Sequence, residues 1–187
     1  MAMKFLAILA IACFALSECK VGDHFPFCLF YPEFDASLKT TDVNFQLQKY
    51  TGVWYEMARK KNPFQKNCHC TNATYGLNSD DSVSVKNTCT MDDGSLNVIN
   101  GKATKAKKDD NTRLKVKFTT TFFKGNYWIL DIDPNYQVVL VGEPCLRFLW
   151  VLARDQHLSK TVVDKLIGKA KGLGYEVDDI IYREDNC

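Results

Sequence analysis

The sequence predicts an all-β protein, an eight-stranded antiparallel up-and-down barrel with one C-terminal α-helix packed outside it. From Thr51 onward, short runs of β-branched and aromatic residues alternate with turn clusters, at the spacing of a sandwich or barrel. Three later runs are apolar on both faces, so their outer side needs a cover. Eight strands closed into a barrel leave no open sheet edge. Such a barrel has room inside for side chains or one small ligand.

The strands are predicted in order along the chain, at residues 53–59, 71–77, 82–89, 96–103, 113–119, 127–133, 136–141 and 147–154. In the fifth, Leu114, Val116 and Phe118 alternate with basic residues, so one face is apolar and the other is wet. The runs 127–130, 138–141 and 148–153 lack this alternation and belong to strands covered on both faces.

One amphipathic helix follows the strands and is the only candidate for that cover. Ser159 can cap its start, and Gly172 and Gly174 can end it. Apolar residues recur on one stripe at helical spacing. These residues are Val162, Val163, Leu166, Ile167 and Ala170. A last short strand is predicted within residues 176–183.

The N-terminal residues predict export. A basic start and an apolar run of twelve residues, too short to span a bilayer, are typical of a secretory signal peptide over residues 1–19. Cleavage after Cys19 leaves six cysteines, which suits three disulfides and no free thiol; cleavage after Ser17 leaves seven. A single domain of residues 20–187 remains, with residues 20–50 as an N-terminal arm. The predicted location is secreted and extracellular.

Composition and short motifs narrow the function. The net charge of +2 is too small to predict a nucleic-acid surface. In a secreted chain, Asn72 within Asn-Ala-Thr is a glycosylation candidate. The sequence holds no serine-nucleophile elbow, zinc-protease motif or phosphate loop. We therefore predict no enzyme, no metal and no required cofactor.

Three motifs carry a family resemblance. Residues 52–59 (GVWYEMAR) resemble the Gly-X-Trp element of the lipocalins, and residues 150–154 (WVLAR) are similar to their third motif. Residues 131–136 (DIDPNY) resemble the second motif, although Ile132 and Pro134 depart from it. The resemblance covers about residues 40–187 and is closest to the branch of apolipoprotein D and the bacterial lipocalins. It implies a lipocalin calyx, open at one end and closed at its floor by Trp54 and Arg154.

The alternation of inward and outward residues along each strand, together with the strand register that the family resemblance implies, predicts which residues line the cavity. If Trp54 and Arg154 point inward, residues of the same parity in their strands do so too. Glu56 shares this inward parity, and a hydrogen bond at the floor is favoured over contact with a ligand. The predicted ligand-binding wall comprises Ala58, Tyr75, Val83, Val85, Leu114, Val116, Phe118, Tyr127, Ile129, Val139, Phe148 and Trp150. Trp150 is the main wall residue, whereas Trp128 has the opposite parity and belongs under the helix.

The resemblance implies a carrier for a small hydrophobic molecule such as a fatty acid, sterol, retinoid or tetrapyrrole-like pigment. One alternative is a lipocalin-type enzyme acting on a lipophilic substrate, for which Cys89 would be the thiol. The other is a protein-interaction module with a filled barrel. Phe122 and Phe123 lie on a loop at the mouth, either folded back as a lid or in transient contact with a membrane or lipoprotein surface. Oligomeric state is not predicted.

The resemblance also implies disulfides. A bridge from the second strand to the C-terminal tail matches Cys70 to Cys187, and a looser analogy joins Cys28 to Cys145. Cys68 and Cys89 remain as the third pair. Cys68-His69-Cys70 could instead suggest zinc, but the secretory signal favours disulfides.

Overall fold

The structure is a computed structural model that describes residues 38–41 and 44–187. The predictions on residues 1–37, namely the signal peptide, most of the arm and Cys28, lie outside the described residues. The described chain forms nine strands in one sheet, each paired antiparallel with its neighbour. The first strand also pairs with the second, which closes eight of the strands into a barrel. This confirms the predicted fold class.

The element bounds follow the sequence pattern closely. The strands are β1 (Gly52–Lys60), β2 (Cys68–Leu77), β3 (Val83–Met91), β4 (Leu96–Lys107), β5 (Asp110–Phe118), β6 (Gly125–Ile132), β7 (Val138–Gly142), β8 (Leu149–Ala153) and β9 (Ile180–Tyr182). The helices are α1 (Leu47–Tyr50) and α2 (Lys160–Gly172), and a 3₁₀ turn spans Pro63–Gln65. Among the described residues, no helix is long and apolar enough to cross a membrane.

The loops fall at two ends of the barrel. Residues 61–67, 92–95, 119–124 and 143–148 connect the strands at one end, which we call the mouth. Residues 78–82, 108–109 and 133–137 connect them at the other end, the floor, where β1 begins at Gly52. Strands β1 and β2 therefore run in opposite directions between floor and mouth, as an up-and-down barrel requires.

Two apolar clusters lie on opposite faces of the sheet. The inner cluster fills the barrel and includes Trp54, Val85, Ile129 and Val139. The outer cluster joins the outward residues of β6–β8 to the helix, and Trp128 belongs to it. Four residues of the predicted helical stripe are buried there, namely Val163, Leu166, Ile167 and Ala170. The helix covers the strands that are apolar on both faces, as predicted.

Strand β1 changes partners halfway along. From Gly52 to Tyr55 it pairs with β2, and from Ala58 to Lys60 the same edge pairs with β9. Its pairing with β8 carries a bulge between Glu56 and Ala58. Because a bulge inserts one residue, it reverses the facing of everything beyond it.

The bulge corrects the prediction for Ala58. Ala58 pairs with Val151 and packs in the outer cluster, so it is not a wall residue. Arg59 takes the inward register position opposite Trp150 instead. Simple alternation along β1 cannot reveal this change, because the period of two assumes an unbroken ladder.

Candidate ligand-binding site in the barrel

The floor is built around Trp54, which is fully buried. The Arg154 guanidinium lies 3.9 Å from the centre of its ring and donates to the carbonyl oxygens of Val53 and Thr51 at 2.6 Å each. Gly52 has φ +96°, and a Cβ there would lie 3.2 Å from Arg154 Nη1. The glycine of the Gly-X-Trp motif is needed for both reasons, its backbone conformation and its closeness to the arginine.

Three tyrosine hydroxyls meet above this floor. Tyr127 Oη lies 2.6 Å from Tyr50 Oη and 3.0 Å from Tyr75 Oη. Tyr50 stacks on Tyr75 with ring centres 5.3 Å apart, and its ring centre lies 5.0 Å from that of Trp54. Burial raises the pKa of each of the three phenols well above the ordinary value. This tyrosine trio is therefore uncharged.

A second polar group, the mouth cluster, consists of Glu56, Arg59, Gln65 and Trp150. Arg59 Nη1 donates to Glu56 Oε1 at 2.8 Å, and Gln65 Nε2 donates to Glu56 Oε2 at 2.7 Å. Trp150 Nε1 donates to Gln65 Oε1 at 2.9 Å. Burial raises the pKa of the Glu56 carboxyl, and Arg59 opposes that rise. Glu56 therefore bonds toward the mouth, and the predicted floor hydrogen bond is wrong.

Most of the predicted wall lies inside the barrel. The members found in the inner cluster are Tyr75, Val83, Val85, Leu114, Val116, Ile129 and Val139, with Phe118, Tyr127 and Trp150 packed against it. Phe148 lies at the mouth, where its ring centre is 5.0 Å from that of Phe64 and 6.2 Å from that of Trp150. Ala58 lies outside, as described above.

Four polar residues of this interior were not predicted from the sequence. Tyr50 sits in the arm, where no period marks it, and Gln65 sits in a loop, held there because Asn62 Oδ1 accepts from its backbone N–H at 2.9 Å. Arg59 is turned inward by the bulge. Asn87 pairs across from Ala73 of the inner cluster, and its Oδ1 is buried without a hydrogen-bond partner in the described chain. Continuing the alternation of Val83 and Val85 by one step would have found Asn87.

Phe122 and Phe123 face solvent at the mouth. Their exposed fractions are 95% and 81%, and the turn that holds them is closed by Thr121 Oγ1, which donates to the Phe118 carbonyl at 3.2 Å. The structure therefore does not show the lid that was one of the two predicted arrangements.

The cysteines of β2 are bridged. Cys68 is bonded to Cys89, and Cys70 is bonded to Cys187. Cys145 is also disulfide-bonded, and Cys28, the partner that the resemblance implies, lies outside the described residues. A thiol at Cys89, which the enzyme alternative needs, is absent in this state.

His69 sits between the two bridged cysteines and contacts two carboxylates. Its Nδ1 lies 2.6 Å from Glu184 Oε1, and its Nε2 lies 2.7 Å from Asp92 Oδ1. Hydrogen bonding to both raises the pKa of His69. Within the described ranges, no group of three or more histidine, cysteine or acidic side chains is arranged to hold a metal ion.

Asn72 lies within β2 rather than on a loop. Its side chain is half-buried, and its Oδ1 accepts a hydrogen bond from Thr88 Oγ1 at 2.8 Å. A glycan on Asn72 would require this contact to open.

Comparison with known proteins agrees with the geometry. Residues 45–185 match the family model of a lipocalin-like domain. Temperature-induced lipocalin-1 of Arabidopsis thaliana is 39% identical over 142 residues, which is 72% of this chain and 76% of that protein. The outer membrane lipoprotein Blc of Vibrio cholerae is 31% identical, over 83% of this chain and 89% of that protein. Apolipoprotein D of Macaca fascicularis is 33% identical, over 66% and 68% respectively.

Solved structures share the fold at lower identity. Insecticyanin from Manduca sexta superposes with a TM-score of 0.63 at 19% identity, covering 82% of this chain and 87% of that one. Apocrustacyanin C2 superposes with a TM-score of 0.62 at 20% identity, covering 76% and 82%. The closed barrel, the Trp54–Arg154 floor and the match over residues 45–185 agree, and the chain belongs to the lipocalin family.

Proposed function

We propose that this lipocalin is a secreted carrier that sequesters a small hydrophobic molecule inside its barrel. The observation that supports this most is the inner face, where apolar residues from β2 to β8 converge above a closed floor. Burial of apolar ligand surface there is favourable by roughly 25 cal/mol per Å². The ligand-binding residues we assign are the predicted wall without Ala58.

The apolar wall indicates the class of ligand, but it does not identify the ligand itself. Apolar walls discriminate mainly by shape, and one methylene changes affinity only about 10- to 200-fold. Fatty acids, sterols, retinoids and tetrapyrrole-like pigments therefore all remain as candidates. Trp150 contributes a wide ring whose N–H is already bonded to Gln65, so its contribution to binding is contact area.

Extraction and titration test this proposal together. Organic extraction of the purified protein should release a lipophilic compound that mass spectrometry detects. After delipidation, that compound should quench tryptophan fluorescence, and Trp150→Phe should remove most of the quenching. Trp128→Phe is the matched control, because Trp128 packs in the outer cluster. An empty extract together with no quenching by any lipid tested would favour the filled barrel.

We also propose that the mouth touches a lipid surface. Phe64, Phe122 and Phe123 are all exposed at this end, and Lys61 and Lys124 are exposed beside them. Exposed apolar groups flanked by cations suit an anionic lipid surface.

Flotation with vesicles of mixed neutral and anionic lipid tests the contact. Phe122→Ser with Phe123→Ser should reduce the floating fraction, and Val53→Ser is the control, since Val53 is exposed at the floor end. Equal flotation of both variants would contradict membrane contact by the mouth.

Secretion is part of the same proposal. We assign residues 1–19 as a signal peptide and Asn72 as a glycosylation site. N-terminal sequencing of protein from a eukaryotic secretion host should begin at Lys20, or at Glu18 for the alternative cleavage. A glycosidase-sensitive mass shift that Asn72→Gln abolishes would support the glycan. Retention of residues 1–19 in protein from the medium would contradict the assignment.

A further inference from the structure

The tyrosine trio has one hydroxyl proton more than the number of hydrogen bonds within it. Each phenol hydroxyl carries one proton to donate and lone pairs to accept. Three hydroxyls therefore hold three donors, but only two contacts link them, Tyr50 to Tyr127 and Tyr127 to Tyr75. No other hydrogen bond to these hydroxyls is present in the part of the chain that the structure describes. Whichever way the chain of hydrogen bonds runs, one O–H has no acceptor.

A phenol O–H without an acceptor is unusual in the interior of a barrel. Tyr50 and Tyr75 belong to the buried inner cluster above the floor, and Tyr127 is partly buried and packs against that cluster. Buried polar groups in folded proteins are almost always paired, by protein, water or ligand. The hydroxyls also remain protonated, because burial raises the pKa of all three. The trio thus presents a donor, and no anion, to whatever occupies the barrel.

The charges around the trio favour a neutral acceptor. Glu56 is the acidic group that acts on Tyr75 from the mouth side, and it is held by Arg59 at 2.8 Å. Arg154 acts on Tyr50 from the floor side, but its N–H groups already donate to backbone carbonyls. Among the described residues, a carboxylate placed at the trio would therefore meet no unengaged cation, and burying it would be costly.

We propose that the tyrosine trio is the polar subsite of the barrel and receives a neutral oxygen acceptor, such as a ketone, aldehyde or ester carbonyl, from a ligand that is otherwise apolar. The ligand then enters oxygen end first, with its apolar remainder against Trp150 and the mouth. This inference rests on the proposed carrier function and adds a chemical class and an orientation to it.

Matched probes test the subsite. Methyl dodecyl ketone, tetradecane and tetradecanoate share one chain length, and their dissociation constants are measured on wild type and on the triple variant Tyr50→Phe, Tyr75→Phe, Tyr127→Phe. Comparing the ratio of ketone to alkane affinity between the two proteins cancels the difference in water solubility. The triple variant should lower that ratio about five- to tenfold, the worth of one hydrogen bond. Tyr182→Phe, which removes an exposed hydroxyl, should leave it unchanged.

A second measurement is made on wild type, so it tests the subsite even if the triple variant does not fold. The infrared carbonyl stretch of ¹³C-labelled ketone bound to wild type should lie at the lower frequency of a hydrogen-bonded carbonyl. A frequency equal to that in hydrocarbon solvent, or an unchanged affinity ratio in the folded variant, would overturn the subsite. Wild type binding neither alkane nor ketone would overturn the carrier function itself, so the two failures are distinguishable.

Discussion

At the scale of single residues, the two inner-face tryptophans differ in what surrounds them. Trp54 is fully buried, donates to the Tyr50 carbonyl at 2.8 Å and carries Arg154 over its ring. Trp150 is only partly buried and packs at the edge of the inner cluster. We therefore expect the first to hold the floor together and the second to contact a ligand.

This difference predicts opposite effects of truncation. Trp54→Ala should lower the free energy of unfolding by about 3–5 kcal/mol, because it opens a cavity and leaves Arg154 without its ring. Trp150→Ala should lose less stability and weaken ligand binding. Thermal melts and ligand titrations of both variants check the assignment. Normal binding by a Trp150→Ala protein that melts far earlier would contradict the inward placement of Trp150.

His69 predicts a pH dependence of stability. Asp92 and Glu184 raise its pKa above 6.5 in the folded state, so protonation of His69 stabilises the fold. This stabilisation is complete below 6.5 and is lost as the pH rises through the folded-state pKa. His69→Gln should therefore flatten the rise in melting temperature as the pH falls toward 6.5. His157→Gln is the control, since its ring makes no ion pair among the described residues; an unchanged slope in His69→Gln would refute the role.

At the scale of elements, the tail strand β9 depends on a covalent link. Three residues pair β9 with β1, and Cys70–Cys187 joins the following segment to β2. Arg183 reinforces the attachment, since its backbone N–H donates to the Met57 carbonyl at 2.8 Å. So short a strand would not stay paired on its ladder alone.

The two described disulfides predict unequal stabilisation. Cys70–Cys187 spans 117 residues, whereas Cys68–Cys89 spans 21. Because the stabilisation by chain entropy grows with loop length, replacing Cys70 and Cys187 by Ser should cost about 1.5 kcal/mol more than replacing Cys68 and Cys89. Urea denaturation of the two double variants measures the difference. A larger loss for the shorter loop would show that native packing outweighs chain entropy here.

Most elements could be predicted from the sequence, because hydrophobic alternation and turn clusters are local signals. The eight barrel strands and the helix stripe follow from such signals. The bulge at Glu56–Ala58 could not be predicted, since it depends on the pairing with β8. For the same reason, the inward positions of Arg59 and Gln65 could not be predicted. Arg59 points inward because of the bulge, and Gln65 does so because Asn62 sets the conformation of its loop.

At the scale of the whole molecule, the proposed ligand binding predicts a coupling between binding and folding. A ligand that occupies only the closed barrel stabilises it by mass action, by about 2.7 kcal/mol at a free concentration one hundred times the dissociation constant. Delipidated protein should therefore melt at a lower temperature than protein as purified, and adding back the extracted compound should restore the higher temperature. Identical melting curves before and after extraction would indicate that nothing bound had been removed.

Because β1 changes partners, the barrel has no backbone ladder between β1 and β2 toward the mouth. Near the floor, ladder hydrogen bonds join β1 to β2, but toward the mouth the two strands are bridged by side chains. Arg59 reaches the Cys68 carbonyl at 3.1 Å, and Arg183 reaches the Thr71 carbonyl at 3.3 Å. The tail also crosses this gap, through the Cys70–Cys187 bridge and the His69–Glu184 contact, so side chains and a disulfide close the barrel there in place of a backbone ladder.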